Sequence, residues 1–319
     1  MAGHVLWPNL KNSTRAYWRI IFLVWIIVTQ LVSIGIWLNL VCILNSRIVI
    51  NDKRLLKGYI FFSGEINGMI ESNGCDHQGS ASRRAHILKK YEDYLYFDMG
   101  NISSVSPKIN MFLINSFRKL NAKAINLTKG DLANIAKDVI TRESDMFVSA
   151  NIAHPQIAKY KKVTLLLKNQ KNEQTSLKVF VTGIAGRHNI PDDPSGYLDG
   201  LKREIVLSIN EISCHAKDAD IKILLFNSQL FLLEEVLARA KVRFDLIVCQ
   251  SSADGAPNST ININGIPIIY PDRYGRSLAS VLVYYTHNKK YYDIEYKRLY
   301  RKIPRDAQTD EAIIRTTEN

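Results

Sequence analysis

Tyr94-Leu95-Tyr96-Phe97-Asp98-Met99-Gly100-Asn101 is the stretch on which the fold turns. A run of apolar and aromatic residues ending in Asp and Gly reads as a buried strand that delivers polar side chains into a loop. Working outward, the same pattern repeats. Residues 58–63 form a short apolar run that enters Glu65-Ile66-Asn67-Gly68, and residues 123–127 form another that enters Thr128-Lys129-Gly130-Asp131. Between the strands, helices are expected over residues 83–91 and 108–120. A third opens at Gly130-Asp131, with Asp131 as its N-cap. Residues 145–151 give a further strand. Strand alternating with helix predicts a layered α/β core.

The second half changes character. Residues 162–169 and 175–184, joined by a polar turn, read as a hairpin. A long helix follows over 197–216, then a strand at 221–226, a helix at 230–241 and a strand at 244–250. The end is strand-rich. Alternating aromatics in residues 291–300 mark an edge strand with one buried face.

The amino end is different again. Residues 20–44 are almost wholly apolar and carry no charge. At about 1.5 Å per residue such a helix crosses a ~30 Å hydrocarbon core, and Trp18 and Trp37 lie toward its two ends, where aromatic rings favour the interface. The run is too long for a signal peptide's apolar core and offers no small-residue cleavage site. The expected division is a tail at 1–16, a transmembrane helix at 17–45 in contact with the lipid bilayer, a connector at 46–57 and a domain at 58–319. Flanking Lys and Arg do not decide the orientation. The usual arrangement for a short tail and a large carboxyl-terminal domain puts the amino terminus in the cytoplasm and the domain outside, periplasmic or extracellular.

Of 319 residues, 46% are hydrophobic and 23% charged, which excludes wholesale disorder. The net charge of +12 is spread along the chain rather than clustered in a recognisable binding motif, so no nucleic acid partner is expected. A basic surface facing lipid headgroups or an acidic subunit is the simpler account. Four cysteines show no CxxC spacing. Cys75 could pair with Cys214 or with Cys249, and the sequence does not choose.

The order of segments, from "SGEINGMIESNGC" (63–75) and "GSASRRA" (79–85) through "FDMGN", "INLTKGDL" and "FDLIVCQSS", resembles the calcineurin-like metallophosphoesterases. The nearer likeness is to the 5′-nucleotidase branch and its bacterial relatives with a Cys before a "GGLARRA" stretch. The resemblance implies a four-layer αββα sandwich, a short acidic helix over residues 303–315 that closes the domain, and an exported domain. It also implies loops that hold two metal ions, and there the residues depart from the family. Asp-x-His-Gly falls on Glu65-Ile66-Asn67-Gly68, and Gly-Asp on Gly100-Asn101. Gly-Asn-His-Glu falls on Thr128-Lys129-Gly130-Asp131, a lone His on the region of Asn227-Ser228, and Gly-His-x-His on Gln250-Ser251-Ser252-Ala253.

A two-metal site needs several anionic or imidazole ligands around ions about 3.5–4 Å apart. Here Asn stands for His at 67 and for the bridging Asp at 101, and a cation stands for Asn at 129. Glu65, Asp98 and Asp131 remain as acidic groups, enough at most for a weak single-ion site. The seven histidines never fall in metal-ligand spacing. The expectation is therefore no catalytic residue, no metal and no cofactor. The degenerate positions are Glu65, Asn67, Asp98, Asn101, Lys129, Asp131 and Ser251, with Lys129 pairing with Glu65 or Asp98 in place of a metal's charge. Arg83 and Arg84, paired at a helix start, read first as structural, binding loop carbonyls and carboxylates; with Arg273 and Arg276 they are also the candidates for anion or partner contacts. An anchored domain of this kind suits an accessory subunit of a larger membrane complex. The competing expectation is a divergent phosphoester hydrolase with a one-metal or metal-free site.

Overall fold

The computed structural model describes residues 25, 29–33, 55–71, 79–186, 194–250, 257–286 and 289–317. The chain divides into two compact units, Met1–Leu55 and Leu56–Asn319, and the second carries the sheets. The transmembrane segment expected over 17–45 lies almost entirely outside the described residues, as do Cys75 and Ser251. Among the described residues no helix is long and apolar enough to cross a membrane.

The period-two alternation of side chains along a strand explains the layering. In β1 (Leu56–Ser63) Ile60 and Phe62 point to one face while Tyr59 and Phe61 pack on the other. β2 (Tyr94–Asp98) does the same with Leu95 and Phe97 against Tyr96. A strand apolar on both faces belongs in a sheet covered on both sides. β1 runs parallel to β2, β2 to β3 (Ala124–Asn126), and β3 to β4 (Phe147–Val148). The antiparallel hairpin of β11 (Ser277–Thr286) and β12 (Lys289–Arg298) extends this sheet beyond β1. Among the described residues β12 pairs with β11 alone, so it is an edge, and Tyr292, Ile294 and Tyr296 form its half-buried face.

The second half builds a matching sheet. β5 (Tyr160–Lys168) and β6 (Gln174–Ala185) form the expected hairpin, with Leu165 opposite Leu177. Strands β7 (Ile221–Asn227), β8 (Leu246–Cys249) and β10 (Ile266–Tyr270) follow β6 in parallel order, and β9 (Ser259–Ile263) closes the edge antiparallel to β10. Asn264 and Gly265, at φ 53° and 82°, make the tight β9–β10 turn with the left-handed pair such hairpins need. Among the described residues the two sheets meet edge to edge only at Lys57 opposite Lys168.

Three cores then define four layers. Between the sheets, Ile60, Phe62 and Val281 meet Val179, Ile223 and Val248. Outside the first sheet lie α1 (Ala81–Leu88), α2 (Pro107–Lys119) and the closing α7 (Ala307–Thr317), burying Leu88, Phe117 and Ile313 against Phe61 and Tyr96. Outside the second, α5 (Pro194–Glu211) and α6 (Leu230–Arg239) bury Ile205, Ile209 and Leu233 against Phe180 and Phe226. Each such side chain contributes about 1.5–3 kcal/mol relative to exposure. The αββα sandwich follows from this burial pattern. Two short helices, α3 (Lys129–Asn134) and α4 (Lys137–Arg142), lead from β3 to β4.

Several boundaries differ from the sequence reading for local reasons. Helix α1 begins at Ala81 because the Ser80 side chain accepts from the Ser82 N–H, and α2 begins at Pro107 with Ser106 as cap. The long helix of the second half stops at Glu211 and continues only as a 3₁₀ turn over Ser213–Ala216. The amino end of α3 is capped by Thr128 rather than Asp131. Cys214 is an exposed free thiol and Cys249 a buried one.

Candidate functional site

In parallel sheets of this kind ligands bind beyond the carboxyl ends of the strands, and the loops there converge on one another. The segment after β1 lies alongside the segment after β2. The N–H groups of Glu65, Asn67 and Gly68 donate to the carbonyls of Gly100, Asn101 and Ile102 at 3.1, 2.7 and 2.9 Å. The turn after β10 joins them, the Tyr274 N–H donating to the Glu65 carbonyl at 2.8 Å. Glu65, Asn67, Asn101 and Tyr274 all carry left-handed backbone, at φ 47°, 50°, 54° and 58°. Left-handed φ is unusual for side-chain-bearing residues, and Tyr274 is the least expected of the four. Gly100 has no alternative, because at φ 94° a Cβ would lie 2.2 Å from the Asn126 carbonyl oxygen.

Beneath the loops lies a layer of buried polar groups. Asp98 is fully buried, accepting from the Ser63 hydroxyl and, at 2.8 Å, from the Gly100 N–H. Burial pushes its carboxyl up to about 6, opposed by those two hydrogen bonds and by the Arg84 charge. Asp131 is also fully buried and is the hub of the layer. One oxygen accepts from the Asn101 N–H at 3.0 Å and the Thr128 hydroxyl at 2.8 Å, and the other accepts from the Ser103 N–H at 3.0 Å. With Thr128 it forms a reciprocal capping box at the start of α3. Burial raises its pKa, and the bonds from Thr128 and Ser103 oppose the rise.

Asn126 spans the sandwich from the end of β3, donating to the carbonyls of Met99 at 3.2 Å and Ile184 at 2.9 Å. From the end of β7, the Asn227 amide reaches the Met99 carbonyl at 3.5 Å and accepts from the Asn101 amide at 3.5 Å. Sequence reasoning missed Asn126 entirely and gave Asn227 no role of its own. The only signal was an Asn at the last position of each strand, which also fits an ordinary turn.

Above this layer opens a cavity of about 380 Å³, lined in part by Glu65, Asn67, Asn101, Gly130, Gln250 and Arg273. Glu65 is 4% exposed, and its Oε2 has no hydrogen-bond partner. The Arg273 Nε stands 3.5 Å from that oxygen as an ion pair. Burial pushes Glu65 up to about 7, with Arg273 pulling down and Asp98 adding to the rise.

The structure does not gather all the anticipated residues. Lys129 is exposed and forms no ion pair with Glu65 or Asp98 among the described residues, because the capping box turns Gly130 rather than Lys129 toward the cavity. Asp131 is consumed by the loop it organises. Arg83 is buried at the start of α1 and donates to the Gly79 carbonyl at 2.8 Å. Arg84 is 1% exposed, with its guanidinium 5.3 Å over the Phe117 ring. Arg276 packs on Tyr274, 5.4 Å from the ring centre. Arg273 is therefore the one of the four arginines that lines the cavity.

Metal ions at the positions that the sequence resemblance implies would have to be held by this set. Among the described residues no group of three or more His, Cys, Asp or Glu side chains is placed to hold an ion. Among the described residues the one carboxyl lining the cavity has a guanidinium beside it, and the neighbouring amides are weak ligands. The described residues do not fit a dinuclear centre.

Comparison with solved structures places the fold. The chain is similar to the calcineurin-like phosphoesterase YfkN from Bacillus subtilis, at 16% identity and a TM-score of 0.61 over 83% of this chain and 98% of that one. The 5′-nucleotidase precursor from Thermus thermophilus matches at 14% and 0.61, covering 82% and 58%. The NAD nucleotidase of Haemophilus influenzae matches at 12% and 0.57, covering 83% and 60%. The match thus spans under two-thirds of either nucleotidase. No protein-family profile matches the sequence, and no curated protein does.

Proposed function

We propose that this chain uses the calcineurin-like phosphoesterase fold without the phosphoesterase chemistry, as a membrane-anchored binding or accessory subunit of a larger membrane complex. Its carboxyl-terminal domain would lie outside the cytoplasmic membrane, held by residues 17–45. One observation carries the reading: among the described residues a single carboxyl, Glu65, lines the cavity, and Arg273 stands 3.5 Å from it. Phosphoryl transfer on this fold calls for concentrated positive charge to stabilise the transferring group. With Glu65 ionised the pair has no net charge to give, and with Glu65 protonated a single guanidinium remains, well short of the charge of two metal ions.

A second reading has its own support. A carboxyl held near 7 beside an open cavity has the pKa of a general acid–base, as a metal-free hydrolase would need. Assay of the purified protein on p-nitrophenyl phosphate and its bis ester, with and without Mn²⁺, separates the two. The binding-subunit reading expects turnover no higher than that of a Glu65→Gln variant. Turnover that the variant abolishes would establish the hydrolase.

A further inference from the structure

A larger cavity, of about 760 Å³, opens in the outer helical layer between α2 and α7 and shares no lining residue with the first. The helical period gives it its shape. On α2, Lys108, Met111, Phe112, Asn115, Ser116 and Lys119 recur at three- and four-residue intervals and form one stripe. Gln308, Ala312 and Arg315 do the same on α7. Two such stripes side by side make a trough, which runs about 16 Å along α2 from Lys108 to Lys119. Met111, Phe112 and Ala312 give it an apolar floor, and the methylene stems of the lysines extend its walls.

The trough's charges all have one sign. Lys89, Lys108, Lys119 and Arg315 line it, and among the described residues no carboxyl does. Carboxylates just outside the lining already engage two of the four, Asp306 with Lys89 at 2.7 Å and Glu311 with Arg315. Lys119, exposed at the end of α2, forms no ion pair among the described residues. The carbonyls of Ser116, Phe117 and Arg118 at that end accept from the N–H groups of Leu120, Ala122 and Asn121, so little bare negative charge stands beside it. An apolar floor with one cation to spare suits a ligand with an apolar chain and a head of charge −1. A phosphate dianion would also meet Asp306 and Glu311. The volume is that of a small-ligand site.

We infer that the trough between α2 and α7 binds a fatty acid, its chain on Met111, Phe112 and Ala312 and its carboxylate at Lys119. The inference is independent of the reading of the Glu65 cavity.

The test uses the full chain in phosphatidylcholine nanodiscs and a decanoate probe carrying a terminal diazirine, with adducts mapped by mass spectrometry. Adducts are expected within residues 107–119 and 307–317. Free decanoate should displace the probe, and decanol or decyltrimethylammonium should do so about tenfold less well. Lys119→Glu should weaken labelling about tenfold while Lys119→Arg keeps it, a split that a merely structural lysine would not give. Ala312→Trp should abolish labelling by filling the trough, and the exposed Lys119 keeps the result decisive if the tryptophan variant fails to fold. An absence of adducts on both helices would mean that protein rather than an acyl chain covers the trough, and overturns the inference. So does displacement by decanol as good as by decanoate, or labelling that Lys119→Glu and Ala312→Trp both leave intact. Displacement by decyl phosphate better than by decanoate overturns it in favour of a phosphate-headed lipid.

Discussion

Asp131 and Glu65 are both buried carboxylates from loops at the carboxyl ends of strands in the first sheet, and their surroundings treat them in opposite ways. Asp131 has donors on both oxygens and ties the β2 loop to the start of α3. Glu65 has one oxygen with no hydrogen bond, a guanidinium at 3.5 Å and an open cavity beside it. A satisfied buried carboxylate is structural, whereas an unsatisfied one keeps a capacity to bind. The difference separates what holds the site from what the site can do.

The largest expected effect sharpens the structural side. Asp131→Ala leaves the N–H groups of Asn101 and Ser103 without their acceptor and removes the Asp131 half of the capping box, while Thr128 keeps its own. Thermal unfolding should show a loss of about 3–4 kcal/mol. A loss under about 1 kcal/mol would break the contrast.

The next concerns pH. Glu65 titrates near 7 in the folded protein against 4.5 ordinarily. Between those values the folded state binds more protons than the unfolded chain, so stability falls as pH rises through that window. Asp98, raised from 3.8 to about 6, adds the same sign. Glu65→Gln should flatten the fall, by roughly 2–3 kcal/mol at pH 8. An unchanged slope would mean that Glu65 is not held near neutrality.

Thiol chemistry offers a smaller check on burial. Cys249, fully buried and pushed up to about 12 by that burial, should resist alkylation at pH 8 while exposed Cys214 reacts. Labelling of both thiols at similar rates would contradict the packing behind β8. The smallest effect belongs to Lys129. Because it is exposed and forms no ion pair among the described residues, Lys129→Ala should shift stability by less than about 0.5 kcal/mol. A larger shift would return it to the site from which the structure removes it.

Much of the fold was legible because its strands carry apolar residues on both faces and are separated by helices. Tyr94–Asp98 announces a covered strand by composition alone. The site was less legible, because what decides it is which backbone groups a side chain meets. Thr128 followed three residues later by Asp131 is a capping-box spacing, yet a reading centred on ligands made Asp131 an N-cap and a residual anion. Lys129 was assigned to the cavity by its place in a motif, and the cap turns Gly130 there instead. The Arg83-Arg84 pair reads as structural, and Arg83 does bind the Gly79 carbonyl, but no local pattern gave the depth at which Arg84, 1% exposed, is buried. Asn126 and Asn227 work across the sandwich, between segments far apart in the chain, and no local pattern encodes that.

The most direct test of the central claim is the metal content of the purified protein, by elemental mass spectrometry after extensive dialysis without chelator. The account predicts far less than one equivalent of any transition metal per chain, in wild type and in Glu65→Gln alike. One or more equivalents in the wild type, lost in the Glu65→Gln variant, would contradict it.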